Sequence, residues 1–433
     1  MKDGNKSFLK SISILTTGSA ISMVFLVILH FVSPKVFTPE ELGIKSVILA
    51  IPMAVGSVLC GRYDLTLVYE PEEKNVFPLL KLNFVLNLLL STILTVVTLL
   101  YLVIWEPQYL QYWYTIPAVW VYLVAYGLTL TLNSYNNRYR EYGTISKMHA
   151  IRSAAQCLGT VILGLIFVYL LKLRSLSVAI LVIPFCLGMA AGIRSQGKSI
   201  LQNKREIIST KKDEVLAIAK KHIRQPLLSA PAIFANSFSY SLITMMINGL
   251  YGEAITGYYS LSVTLLGLPI TLISGNMSKV YMRDASTEYE QTGRFMKAFK
   301  KNFFVLFALS IPMFLLMYFV APPLTAALFG EKWRMAGEYI KILSVMFTFR
   351  FITTALSCGL YVCKKQLSEL ILQILFLAVT ALAGALAYFY QLDSIGFMKL
   401  IVIFRSAVMV VLTLVVAYYA AGKGKHKEKA VQE

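Results

Sequence analysis

The sequence predicts an all-α integral membrane protein with twelve transmembrane helices in two six-helix lobes. Its 433 residues are 57% hydrophobic and only 15% charged, and their mean hydropathy is +0.66. Soluble proteins are closer to about half apolar and about a quarter charged. The apolar residues are concentrated in twelve blocks, and one long polar stretch divides these blocks into two sets of six.

Each apolar block is long enough to cross a hydrocarbon core of about 30 Å as a helix, which satisfies the backbone polar groups internally. The first block follows several lysines, as a signal peptide would, but it is longer and a second span follows at once. We therefore interpret it as an uncleaved helix. The predicted spans cover residues 10–33, 43–63, 79–104, 114–133, 149–171, 176–193, 226–249, 256–278, 302–325, 339–362, 367–389 and 396–420.

The distribution of basic residues predicts the orientation of the chain. With the N-terminus inside, thirty of the forty-one Lys and Arg lie in cytoplasmic segments, and five lie in the opposite loops. This is the positive-inside bias, and it predicts that both termini are cytoplasmic. It also accounts for the net charge of +19 without a nucleic-acid partner. Contact with anionic membrane lipids is expected instead.

The two halves of the sequence resemble each other weakly. A stretch beginning at Phe37 aligns with one beginning at Tyr251 and matches Gly43 with Gly257. Because each half has an even number of spans, a pseudo-two-fold axis along the membrane normal would relate them, with the transport path between the lobes. We predict an N-terminal lobe at 1–200, a cytoplasmic linker at 201–225 and a C-terminal lobe at 226–433. The linker contains an amphipathic segment that either lies on the membrane surface or is a solvated charged helix.

The sequence contains no Walker-type phosphate loop, no HExxH zinc motif and no GxSxG elbow. The predicted outer loops are short, and the five cysteines have no metal-ligand spacing. We therefore predict a protein that is not an enzyme, needs no cofactor, binds no metal and is a monomer.

Charged side chains inside membrane spans usually face a polar interior or a water-filled cavity. Arg350 lies about twelve residues from Glu338, hence about 18 Å along its helix and near the bilayer midplane. Against several buried cations we find a single acid, Glu369, close to a helix end. The cations predict an anion site, since the planar Arg fork suits phosphate. The candidates for this site are Arg350, Arg405, Lys45 and Arg152, and His30 is a further candidate, either as a cation or as a contact to sugar along the path.

Other interpretations of these residues remain open. Deep arginines can instead bond backbone carbonyls or extend to an interface. Asn236 and Asn248 lie in a seventh span rich in Ser, Thr and Asn. Their amides suit sugar hydroxyls, but small polar residues also pack helices together.

Several stretches resemble one known family in register along the chain. They are "PLLSAPAIFANSFSYSLITMMINGLYGEAITGYYSLSVTLLGLPITLISG", "FTPEELG", "GRYDLTLVYEPEE" and "LFGEKWRMAGEYIKIL". They are similar to segments of bacterial polysaccharide repeat-unit flippases, the Wzx-type branch of the multidrug/oligosaccharidyl-lipid/polysaccharide exporter superfamily. The resemblance implies a two-lobe transporter of the inner membrane that moves undecaprenyl-pyrophosphate-linked oligosaccharide. It also implies an O-antigen or capsule pathway, with a polysaccharide polymerase and ligase as partners.

Two alternatives to a flippase are considered. A cation-coupled drug exporter of the same superfamily needs a buried carboxylate, and the predicted midplane contains none. A membrane polysaccharide polymerase needs larger outer loops than this sequence provides.

Overall fold

The computed structural model describes residues 2–363 and 365–423, with side chains described for all of these except residues 2–17 and 199. No strand occurs in this part of the chain. The helices of the first half are α1 (Lys2–Val36), α2 (Pro39–Val55), α3 (Thr66–Tyr69), α4 (Val76–Ile104), α5 (Ile116–Arg138), α6 (Tyr142–Leu163), α7 (Ser177–Gly188), α8 (Ile193–Gln196), α9 (Lys198–Gln202), α10 (Lys204–Ser209) and α11 (Lys212–Lys221).

The helices of the second half are longer on average. They are α12 (Ala230–Tyr251), α13 (Glu253–Pro269), α14 (Gly275–Thr292), α15 (Met296–Phe329), α16 (Arg334–Leu356), α17 (Gly359–Val362), α18 (Gln366–Phe389) and α19 (Ser394–Ala420). Twelve stretches of the described residues are long and apolar enough to cross a membrane. The predicted all-helical fold class and the predicted number of spans are therefore confirmed.

The eighth span is longer than predicted. The expected boundary was residue 278, but the helical stretch continues from Glu253 to Thr292. A π-helical turn at Ile270–Ser274 joins α13 to α14. The polar residues of α14 stay helical because the segment lacks interior Gly and Pro and buries Tyr281 and Ala285 on one face.

Local sequence signals set several helix ends. Thr38 caps α2 by accepting from the Glu41 amide, while the Glu41 carboxylate accepts from the Thr38 amide. This is a capping box, and Pro39 follows it at the first helical position. Asp393 similarly caps α19 through the Gly396 amide. Gly330 ends α15 at a φ of 97°, a conformation that favours glycine.

Contacts within the chain define two compact units, one ending at Ser241 and the other beginning at Leu242. In the first unit α1 packs against α6, α4 against α5, and α6 against α7. In the second unit α16 is central, because it packs against α13, α15 and α19. The core of this second unit is rich in buried aromatic side chains, including Phe347, Phe351 and Phe397.

Segments predicted to be cytoplasmic meet at one end of the first unit. Arg138 at the end of α5 forms an ion pair of 2.7 Å with Glu73. The Lys81 ammonium in α4 donates to the carbonyls of Ile208 and Thr210 in the segment after α8. These contacts bring the segments around Glu73, Arg138 and Thr210 to the same end of the first unit.

The close packing of α15 on α16 predicts a position that excludes any side chain. A Cβ at Gly337 would lie 2.5 Å from the Pro322 Cα and 2.7 Å from the Ala321 carbonyl oxygen. Gly337→Ala must separate the two backbones, and we expect it to lower the unfolding free energy by about 1–3 kcal/mol. The measurement is thermal unfolding of the purified protein in detergent. Gly267→Ala is the matched control, since a Cβ there meets no atom within 4 Å.

Candidate functional site

The predicted site residues are divided between the two units. His30, Lys45 and Arg152 lie in the first unit, whereas Arg350 and Arg405 lie in the second. Asn236 and Asn248 are both on α12, which passes from one unit into the other. The surroundings of each group are therefore described separately.

Lys45 and His30 come together in the first unit. Lys45 projects from α2, and its ammonium lies 4.5 Å from the centroid of the Phe185 ring in α7. His30 of α1 is close enough to Lys45 for an electrostatic interaction. Among the ion pairs formed by the described residues, none involves Lys45. Its positive charge is stabilised by an aromatic face rather than by an acid.

A row of aromatic rings continues from Lys45 into the unit. Phe185 stacks on Tyr122 with ring centroids 5.9 Å apart. Tyr122 in turn contacts Tyr126 one helical turn further along α5, again at 5.9 Å. Tyr126 lies near Arg152. The row therefore joins two of the predicted cations, Lys45 and Arg152.

Arg152 is held by neutral partners. Its Nη2 donates to the Nδ1 of His149 at 2.7 Å, and its Nη1 lies 3.5 Å from the Met189 sulfur. Because guanidinium only donates, the Nδ1 of His149 must accept and carries no hydrogen. The imidazole is thus a positioning group for Arg152 and leaves its positive charge uncompensated.

Two further charged side chains lie beside this row and do not stand out in the sequence. Arg62 and Asp64 follow the second span, and both interact electrostatically with Tyr126. Arg62 adopts a φ of 64°, which is uncommon for a residue with a side chain. Asp64 is only 2% exposed. Burial raises the pKa of its carboxyl, although Arg62 and two backbone amides partly oppose this effect.

The arginines of the second unit have different surroundings. Arg350 in α16 is partly exposed, and its guanidinium carbon lies 5.1 Å from the centroid of the Phe347 ring. Arg405 in α19 is only 1% exposed. Its Nη1 donates to the Thr380 hydroxyl at 2.9 Å, and Phe376 lies beneath it at 5.3 Å. In this conformation Arg350 is the more accessible of the two.

The polar residues around the seventh and eighth spans contribute largely to helix packing. Asn248 is 5% exposed, and its side-chain oxygen lies 3.5 Å from the Thr256 hydroxyl. The hydroxyls of Ser262 and Ser274 donate to backbone carbonyls of α16 at 2.8 and 2.6 Å. Asn236 is partly exposed, and its carbonyl accepts from Ser239. Of the two asparagines, Asn236 has the more accessible side chain.

A buried carboxylate attaches the segment after α8 to the first unit. The Glu70 side chain is fully buried and accepts hydrogen bonds of 2.7 Å from Asn75, Lys221 and His222. Burial alone would raise the pKa of this carboxyl, but these hydrogen bonds outweigh burial and lower it to about 2. Gln225 extends the contact by donating to the Tyr69 hydroxyl. We name the cluster Glu70, Asn75, Lys221 and His222 the Glu70 anchor.

The Glu70 anchor predicts a pH dependence of stability. The pKa of Glu70 is lower in the folded protein than its ordinary value of 4.5. Its stabilising contribution is therefore complete above pH 4.5 and is lost as the pH falls towards about 2. At pH 7, Glu70→Gln should lower the unfolding free energy by about 3 kcal/mol. The difference in unfolding midpoint between wild type and variant should shrink as the pH falls. A difference independent of pH would contradict this assignment.

The fold places the chain among multi-pass membrane proteins. The solved structure of the lipid II flippase MurJ in an inward closed conformation matches with a TM-score of 0.65 and 11% identity, covering 94% of this chain and 90% of that one. An inward-facing multidrug resistance MATE family transporter of the MOP superfamily matches with a TM-score of 0.60 and 15% identity, covering 96% and 99%. A MOP superfamily transporter from Pyrococcus furiosus matches with a TM-score of 0.53 and 15% identity, covering 95% and 93%. At these identities the likeness shows a shared fold.

Comparison of the sequence with models of protein families assigns the chain to a family. Residues 36–338 match the model of a family described as polysaccharide biosynthesis protein. The chain therefore belongs to this family of polysaccharide biosynthesis proteins. No curated protein matches the sequence significantly.

Proposed function

We propose that the protein is a flippase that moves undecaprenyl-pyrophosphate-linked oligosaccharide from the cytoplasmic to the outer leaflet by alternating access. The observation that carries this proposal is the aromatic row of Phe185, Tyr122 and Tyr126. It has Lys45 at one end and Arg152 at the other, and neither forms an ion pair with a described residue. In a polysaccharide biosynthesis protein, this arrangement suits a ligand that is both an anion and a sugar.

The positive charges of Lys45 and Arg152 would replace the hydration that pyrophosphate loses when it leaves water. An isolated anion in hydrocarbon is prohibitively costly. Arg152 is presented by His149 with its charge uncompensated, so its remaining N–H groups suit a phosphate oxygen. Lys45 provides a second cationic position, and His30 beside it is proposed as a contact along the path. Tyr126 is partly exposed and is proposed to offer an apolar face and a hydroxyl to a sugar ring, while Tyr122 is buried behind it.

The second unit contributes the remaining proposed anion contacts. Arg350 is proposed to bind pyrophosphate directly, since it is partly exposed. Arg405 is proposed to contribute positive potential from its buried position, where Thr380 holds it. Asn236 and, with less access, Asn248 are proposed as sugar contacts.

The proposal includes the organisation of the chain in the membrane. Lobes at 1–200 and 226–433, joined by a linker at 201–225, would move against each other during transport. Both termini would lie in the cytoplasm, and the protein would reside in the bacterial inner membrane. The surface polymer would be an O-antigen or a capsule, assembled with a polymerase and a ligase.

Asp64 favours one alternative. A buried acid with a raised pKa binds a proton near neutral pH more readily than an exposed one, as a cation-coupled small-molecule exporter requires. Asp64 lies after the second span rather than at the predicted midplane. Efflux of cationic drugs that depends on Asp64, with normal surface polymer in Asp64→Asn, would favour the exporter over the flippase.

Charge removal at Arg152 and Arg350 tests the proposed function. Each Ala variant should weaken pyrophosphate binding about tenfold to 100-fold, since a hydrogen bond to a charged group contributes about 1.5–3 kcal/mol. Surface polysaccharide should fall sharply in a producing strain that depends on the variant. Arg350→Lys should restore activity only in part, because it keeps the charge but loses the planar fork.

Lys399→Ala is the matched control. Lys399 is exposed near the start of α19, and its substitution also removes one positive charge. Immunoblots of membranes should show equal amounts of all variants. Normal polymer in both the Arg152→Ala and Arg350→Ala strains would overturn the anion site.

A further inference from the structure

An apolar cavity of about 640 Å³ lies in the first unit, away from the aromatic row. Its walls are Phe84 of α4, Leu132 of α5 and Ala190 after α7, and Ile200 and Ile207 form its roof. A volume of this size is in the range of sites for small organic ligands. Because the walls offer almost no polar partner, water would be poorly held there.

The roof of the cavity is fixed at both ends. At one end the Gln196 amide donates to the Asn133 side chain, and Asn136 donates to the Gln196 carbonyl. At the other end Lys81 donates to the carbonyls of Ile208 and Thr210. Helices α9 and α10 are therefore held over the cavity by polar contacts, and the space beneath them is unfilled by protein. Such a void forfeits contacts that a hydrocarbon chain would restore.

The mouth of the cavity is cationic. Arg194 and Lys204 both line it and are exposed, and no acidic side chain lines it. Neither cation forms an ion pair with another described residue. The surrounding segment 194–224 contains nine Lys and Arg against three Asp and Glu, a net charge of +6. The cavity thus combines an apolar interior with a positive rim.

We infer that this cavity binds an anionic phospholipid, with one acyl chain beneath α9 and α10 and the phosphate between Arg194 and Lys204. Leu132 lies six residues before Arg138 at the end of α5, hence about 9 Å along the helix. This depth matches the boundary between headgroups and acyl chains. The orientation predicted by the positive-inside bias puts the mouth at the cytoplasmic leaflet, where anionic headgroups attract basic segments. The inference does not depend on the flippase proposal.

The bound lipid would stabilise the roof helices. A ligand that binds only the folded state stabilises it by RT ln(1 + [L]/Kd), so the unfolding temperature rises with the concentration and the affinity of the lipid. Phosphatidylglycerol should therefore raise the unfolding temperature of the full-length protein in detergent more than phosphatidylcholine with the same acyl chains. Native mass spectrometry should show one retained phosphatidylglycerol at the lowest lipid concentrations.

Two variants distinguish the contribution of the cationic mouth to lipid binding from that of the apolar interior. In Arg194→Gln/Lys204→Gln, phosphatidylglycerol affinity should fall about tenfold or more, since each basic residue contributes about 1 kcal/mol of attraction. Its affinity for phosphatidylcholine should not change. In Ala190→Phe, the added ring fills the cavity and should weaken binding of both lipids. The matched control is Lys198→Gln/Arg205→Gln, which removes two exposed charges of α9 and α10 that do not line the cavity.

The outcomes distinguish a site from general attraction. A large loss in the Arg194/Lys204 variant, with the control close to wild type, supports the inference. Equal losses in both double variants, or no preference of the wild type for phosphatidylglycerol, would overturn it. Displacement of phosphatidylglycerol by undecaprenyl phosphate at a lower concentration would also overturn it, because the cavity would then be an isoprenoid site.

Discussion

The positive charge at Arg152 must be stabilised inside a lipid-facing unit without being neutralised. A carboxylate would hold it more strongly but would neutralise the charge on which the proposed pyrophosphate contact depends. The chain instead uses the lone pair of His149 and the polarisable sulfur of Met189. Lys45 meets the same requirement with the face of Phe185. The positions of α2, α5, α6 and α7 are linked through these contacts, which hold Lys45 and Arg152 without an ion pair to another described residue.

In the second unit, the cation Arg405 is buried more completely than Arg152 is in the first unit. Arg405 is enclosed by α18 and α19, where Thr380 and Phe376 replace its water shell. Serine hydroxyls around the eighth span donate directly to carbonyls of α16, at Ala336 and Phe351. A carbonyl that already accepts within its helix can take this second bond, since it has two lone pairs. These bonds join helices where hydrophobic attraction between apolar surfaces in lipid is weak.

The sequence predicts the number and approximate position of the spans well, because hydropathy reports directly on the solvent around each block. It does not predict that α14 continues beyond the membrane stretch, since its polar residues read equally well as a loop. Helix depth picks out Lys45, Arg152, Arg350 and Arg405. The position along a helix does not determine the direction in which a side chain points around the helix axis. This direction makes Arg405 buried and leaves Arg350 accessible. Asp64 and Glu70 read as loop acids, and their burial follows from tertiary contacts. For Glu70 the partner Lys221 lies 151 residues away.

The Glu70 anchor also determines where the chain is able to bend. Lys221, His222 and Gln225 are all bonded to the segment that follows the second span. Gln225 is also the first residue of a π-helical turn at Gln225–Ser229, and α12 begins at Ala230. Such a turn is a local departure from the α-helical backbone. The chain therefore passes from the Glu70 anchor through a π-helical turn of five residues into the long helix α12. A tilt of α12 would change the backbone conformation of this turn. The short length of the turn limits how far the start of α12 can move.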